Sequence, residues 1–196
     1  TEVELMQQLH EGSPISMLLE LSKEADMVVI GSRGLGGIAG ALLGSVSASL
    51  VGHAHCPVVV LRDDMDLAAE HNRIVVGADG SPVSALAVQT AYQEADAHGS
   101  ELVAVNAWLD RAVASSLAGM NLSNLDWEQA KAEQRQVVQE ELEKYDDDYE
   151  SITPQIVIRR ESPEMALAEV GKGTRMIVVG SHGRGGFTGM LLGSTS

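Results

Sequence analysis

Basic residues are scarce in this chain: 13 Lys and Arg stand against 28 Asp and Glu, a formal charge of −15 over 196 residues. That shortage excludes a broad nucleic-acid or anionic-membrane surface, because both need clustered cations. There is one cysteine, which excludes an internal disulfide framework and fits a reducing compartment. No apolar run approaches the roughly 20 residues that span a bilayer, and the start carries no basic-then-apolar signal pattern. The expectation is a soluble cytoplasmic protein with neither nucleic acid nor membrane as partner. Two catalytic signatures are missing as well. No glycine loop ends in Gly-Lys-Ser/Thr, so the lysine of P-loop phosphoryl transfer is absent. No His/Asp/Ser constellation for nucleophilic chemistry is evident. At this length one domain or two both fit.

What the chain does have is a glycine pattern, twice. Gly180, Gly183 and Gly193-Ser194 follow the apolar run Met176–Val179, and Gly31, Gly34 and Gly44-Ser45 follow Met27–Ile30. Nine residues separate the second glycine from the Gly-Ser pair in both copies. Glycine there permits positive φ and close approach of a ligand to the main chain. Free N–H groups leading into a helix form a cradle for phosphate oxygens. Sliding the chain by 149 places puts Ser13-Pro14 on Ser162-Pro163, Met27 on Met176 and Gly44-Ser45 on Gly193-Ser194.

Strands and helices alternate around these loops. Thr1–Leu9 reads as the end of a strand. Ser-Pro pairs at 13-14, 81-82 and 162-163 open helices, Ser as N-cap and Pro at the first helical position. The first helix ends near Ala25-Asp26, with Ile15, Leu18, Leu19 and Ser22 on one face. The second carries Leu86, Ala87, Tyr92 and Ala95 and stops at Gly99. Ser45–Ala54 is a short helix, and Pro57–Leu61 is an apolar strand expected to be buried on both faces. Ile74–Val76, Leu102–Val105, Gln155–Ile158 and Met176–Val179 are further strands. Asp126 with Gln129 forms a capping box for a helix to about Lys144, with Val137, Val138 and Leu142 buried. Leu109–Leu125 is an irregular surface excursion bracketed by Trp108 and Trp127, and Asp146–Asp148 is a solvated turn rather than a metal cluster. This alternation predicts a doubly wound parallel α/β sheet, whose ligands sit beyond the carboxyl ends of the strands where strand order reverses.

Asp79 follows the strand Ile74–Val76. Its carboxylate suits ribose hydroxyls or a metal, and equally suits capping the following turn; the residues alone leave both open. Arg184 is either a phosphate partner or a solvent-facing side chain. His182 falls on Arg33 of the other copy, which argues against a specific chemical role. The string His53, His55, Cys56 lacks a second ligand pair for a metal, and imidazoles in a last helical turn also suit the helix dipole.

The repeated G-x-x-G-nine-G-S spacing resembles the nucleotide loop of the universal stress protein family, in its ATP-binding branch. The resemblance covers residues 72–196 as one domain without its last strand and residues 1–62 as the second half of another, with 63–71 as linker. The arrangement resembles that of tandem actinobacterial members, and His53–Val60 looks like that group's last strand and its approach. The resemblance implies an open, Rossmann-like parallel sheet of five strands in the order 3-2-1-4-5. It implies ATP, with Mg²⁺ or Mn²⁺ as companion, as a regulatory ligand of a stress or growth response. Carried over position by position, Ala78 and Asp79 meet the ribose, and Ala107 pairs with adenine through its main chain. Val179, Gly180, Gly183, Arg184, Gly193, Ser194, Thr195 and Ser196 take the phosphates. Gly31, Gly34, Gly44, Ser45, Val46 and Ser47 form the corresponding loop in the first copy. A slow ATP or adenylyl hydrolase using Asp79 and a metal is the alternative; a dimerisation module that has lost its ligand is disfavoured by the intact spacing. Last strands of two copies pair in the family, so Val58–Leu61 is the candidate contact for a homodimer or an intramolecular pseudo-dimer. Both copies lack strands on this reading, so the chain is expected to be a fragment or trimmed.

Overall fold

The computed structural model describes residues 3–32, 43–62, 72–107 and 127–181. The chain forms two compact units, Thr1–Leu67 and Ala68–Ser196.

In the first unit, helix α1 (Pro14–Leu21) opens as its Ser-Pro pair dictates: Ser13 Oγ accepts the Ser16 N–H at 3.5 Å. It ends earlier than its periodicity suggests. Ser22 is buried; its hydroxyl donates to Leu19 O at 2.7 Å and accepts the His55 N–H at 3.1 Å. A serine that sequence periodicity places on the apolar face thus ties the helix end to the turn before the last strand of the unit. Strands β1 (Val28–Gly31) and β2 (Val58–Leu61) pair in parallel, Val28 opposite Val58, with helix α2 (Ser45–His53) between them in sequence. Two expectations fail here. Residues 3–11 form no strand, and Val3, Leu5, Met6 and Leu9 are exposed. β2 is only half-buried, and Val29 and Leu61 are exposed. Burial alternates along β1, and in this unit α1 packs on α2 and α2 on β2.

The second unit runs β3 (Arg73–Gly77), α3 (Pro82–His98), β4 (Glu101–Ala107), α4 (Trp127–Leu142), a 3-10 turn (Glu143–Tyr145), β5 (Gln155–Arg159), α5 (Pro163–Val170) and β6 (Met176–Val178). The strands are all parallel in the order β5-β4-β3-β6. Helices lie on both faces. Ile74, Val76, Leu102 and Ala104 pack with Val88, Ala91, Tyr92 and Val138 of α3 and α4. Val75, Val103 and Val105 pack with Ala166 and Leu167 of α5. The α/β Rossmann-like class is therefore as expected, but the five-stranded sheet is not: the described residues form one sheet of two strands and one of four.

Serine caps and glycine stops behave as their chemistry requires. Ser81 Oγ accepts the Ser84 N–H at 3.1 Å, and Gly99 ends α3 at φ 58°. Ser162 precedes Pro163 as N-cap without a side-chain bond. The buried stripe of α3 runs through Ser84, Ala87, Val88, Ala91, Tyr92 and Ala95, and Leu86 is exposed. Val138 and Leu142 are buried as expected, Val137 only in part. Asp146–Asp148 is a turn. Leu109–Leu125, Trp108 and Asp126 lie outside the described residues. Among the described residues no helix is long and apolar enough to cross a membrane.

Candidate functional site

Strand order reverses at β3: the chain steps outward to β4 and β5, then returns to place β6 on the other side. The carboxyl ends of β3 and β6 therefore border the crevice where such sheets hold ligands. Ala78, Asp79, Val179 and Gly180 come from those two ends, and Ala107 is the last residue of neighbouring β4.

The segment after β3 is tightly specified. Ala78 is buried and its N–H donates to Val105 O at 2.9 Å. Asn106, also buried, donates from Nδ2 to Ala78 O at 2.8 Å, while its Oδ1 has no hydrogen-bond partner. Asp79 Oδ1 accepts the Ser81 N–H at 2.9 Å, the turn-capping role open to it from sequence. Gly80 takes φ 75°, the left-handed region that suits glycine.

Behind the turn stands a group that sequence reading missed. Glu141 of α4 is only 3% exposed. It accepts the Ser84 hydroxyl at 3.0 Å on Oε1 and 3.3 Å on Oε2, and the Gly80 N–H at 3.2 Å on Oε2. Ser84 Oγ in turn accepts the Asp79 N–H at 3.0 Å. Burial pushes the Glu141 carboxyl above its usual range; the Ser84 and Gly80 hydrogen bonds oppose that, and the nearby Asp79 charge adds to it. The available signal was a glutamate between Val138 and Leu142 on the buried stripe of α4, a place where a carboxylate needs dedicated partners.

At the end of β6, Gly180 is required by packing. A Cβ there would lie 2.8 Å from Val83 Cγ1 and 3.1 Å from Val83 O, in the first turn of α3. Gly183, Arg184, Gly193, Ser194, Thr195, Ser196 and His182 lie outside the described residues.

The first unit shows how such a loop closes. Ser32 N–H donates to Leu61 O at 2.8 Å, and Gly44 N–H donates to Ser32 O at 2.7 Å, joining the two ends. The Ser47 hydroxyl donates to Gly31 O at 2.8 Å, so it braces the loop from within. Gly31, Gly44 and Gly180 do not take the positive φ their type permits; Gly44 is extended at φ −72°. Ser45, Val46 and Ser47 form the first turn of α2, whose N–H groups have no intrahelical carbonyl, and no side chain caps that end. Gly34 lies outside the described residues. His53 closes α2, its Nδ1 2.9 Å from Ser49 O, and no metal-competent group of three His, Cys, Asp or Glu occurs among the described residues.

A model of the universal stress protein family matches residues 1–62 and 70–196. The chain belongs to the universal stress protein family. A universal stress protein of Mycobacterium tuberculosis H37Rv is 41% identical over 186 residues, covering 94% of this chain and 58% of the relative. One from Mycolicibacterium smegmatis is 39% identical over 191 residues, covering 96% of this chain and 63% of its own. The chain thus spans about three fifths of the length of these relatives. The crystal structure of a universal stress protein from Archaeoglobus fulgidus shares the fold, with a TM-score of 0.62 at 24% identity over 98% of this chain and 63% of that one.

Proposed function

We propose that this universal stress protein binds ATP at the carboxyl ends of β3, β4 and β6, and acts as a nucleotide-dependent regulator of a cytoplasmic stress or growth response. The observation that carries this reading is the glycine pattern, which occurs twice with one spacing, each time directly after a parallel strand. β6 borders the point of strand reversal, the place where open parallel sheets hold nucleotides. In this proposal Asp79 meets the ribose, the Ala107 main chain meets adenine, and amides from Val179 and Gly180 through Gly183, Arg184, Gly193, Ser194, Thr195 and Ser196 meet the phosphates. Gly31, Gly34, Gly44, Ser45, Val46 and Ser47 serve the same role in the first copy, where the first-turn amides of α2 point in the direction that suits an anion. The unpaired Oδ1 of buried Asn106, at the ends of β3 and β4, supports a ligand that brings a hydrogen-bond donor there. Mg²⁺ or Mn²⁺ would arrive with the phosphates, since one carboxylate plus phosphate oxygens is a common donor set for such ions. A second copy or a second half-protein pairs along β2, Val58–Leu61, in this reading. Mass spectrometry of small molecules released on heat-denaturing the purified protein tests it: ATP or another adenine nucleotide is expected. No nucleotide released, and none taken up from saturating ATP, would reject it.

A further inference from the structure

The turn that carries Asp79 has no spare main-chain donors: its three successive N–H groups are all spent within the protein. Asp79 N–H goes to Ser84 Oγ, Gly80 N–H to Glu141 Oε2, and Ser81 N–H to Asp79 Oδ1. The first two converge on Glu141, one through the Ser84 hydroxyl and one directly. Glu141 is separated by 57 residues from Ser84 and by 61 from Gly80. A carboxylate buried near the end of α4 therefore holds the backbone of a turn that is distant in sequence.

This chemistry is unusual for a purely structural tie. A buried carboxylate is costly, and an apolar side chain between Val138 and Leu142 would continue the core instead. What the carboxylate does that an apolar residue does not is accept two donors from one turn at once. That fixes the positive-φ residue Gly80 and, through the Asp79 N–H, the direction in which the Asp79 side chain leaves the backbone.

We infer that Glu141 is a positioning residue of the ligand site: it holds the Asp79–Ser81 turn through Ser84 and Gly80, so that the Asp79 carboxylate is presented to the nucleotide's ribose in one orientation. The inference rests on the nucleotide reading above, and goes beyond it by placing part of the site's geometry on a helix that touches no ligand.

Glu141→Gln is the test. The amide keeps the shape but replaces one acceptor oxygen by a donor nitrogen, so the two donors, Gly80 N–H and Ser84 O–H, lose their separate acceptors. ATP affinity is measured by calorimetry in the full chain and in Glu141→Gln, Asp79→Ala and the double variant, with circular dichroism and thermal melting on each. In Glu141→Gln, ATP should bind about tenfold more weakly while the fold is retained, and the Gly80 amide resonance should move without ligand. In the Asp79→Ala background the same change should alter affinity by less than roughly twofold, because the group being aimed is gone. Unchanged affinity in Glu141→Gln, an unmoved Gly80 resonance, or an equal loss in both backgrounds overturns the inference and leaves the nucleotide reading standing. If the unaltered chain binds no ATP, the nucleotide reading itself falls and the inference falls with it.

Discussion

Gly180 and Tyr92 show how single side chains, or their absence, set local tolerance. Gly180 lies against the first turn of α3, where a methyl group would meet Val83 Cγ1 at 2.8 Å and the Val83 carbonyl oxygen at 3.1 Å. Gly180→Ala is expected to destabilise the second unit by about 1–3 kcal/mol through overpacking, read from urea unfolding. Adding Val83→Ala should return only part of it, since the carbonyl remains. Tyr92 is fully buried, stacks on Tyr145 with ring centroids 5.2 Å apart, and donates its hydroxyl to Leu142 O at 3.4 Å. Burial, then the Asp146 charge and Tyr145, pushes its hydroxyl pKa from 10.0 up to about 12. The unfolded chain releases this proton first, so the contribution is whole below pH 10 and is lost as pH rises toward about 12. Urea midpoints of the unaltered chain should fall across that window more steeply than those of Tyr92→Phe. Parallel curves would contradict the assignment. Glu141 obeys the same sign, its raised pKa making its contribution decline as pH climbs above 4.5.

Elements were the most legible level. Ser-Pro at 13-14, 81-82 and 162-163 opens three helices: proline needs no donor at the first position in any of them, and at Ser13 and Ser81 the serine oxygen also takes an orphan N–H. Gly99 ends α3 because it alone among common residues accepts φ 58° without strain. Ser81→Ala should therefore cost about 1 kcal/mol, seen as a lower thermal midpoint. Its effect should exceed that of Ser162→Ala, whose hydroxyl makes no cap bond. The exposure of Leu86 beside buried Ala87 and Val88 was not legible, because α3 is rich in small apolar residues and periodicity then gives no sharp stripe. The shortened α1 and the buried Ser22 were hidden for another reason: a serine hydroxyl satisfied by Leu19 O and the His55 N–H behaves as core, and its second partner is 33 residues away. The place of Glu141 between Val138 and Leu142 hinted at burial, but its role was unreadable on the same grounds. Its partners come from another helix, and local pattern carries no record of contacts across 57 residues.

For the whole molecule, the parallel topology was legible from the alternation of strands and helices, and the glycine spacing after an apolar strand occurs twice in the sequence. The alternating pattern fixes the class but not the number of strands that meet in one sheet, and the five-stranded order was expected only from the family resemblance; the described residues form sheets of two and four strands. The acidic balance, −15 overall, also bears on the proposed ligand: a nucleotide anion would have to be met by main-chain dipoles at strand ends and not by a broad cationic surface. Amide-resolved NMR of the isotopically labelled chain during titration with ATP tests that idea most directly. The account predicts saturable shifts at Ala78, Asp79, Ala107 and Gly180, at the ends of β3, β4 and β6. Spectra unchanged at saturating ATP, or shifts confined to residues away from those strand ends, would contradict it.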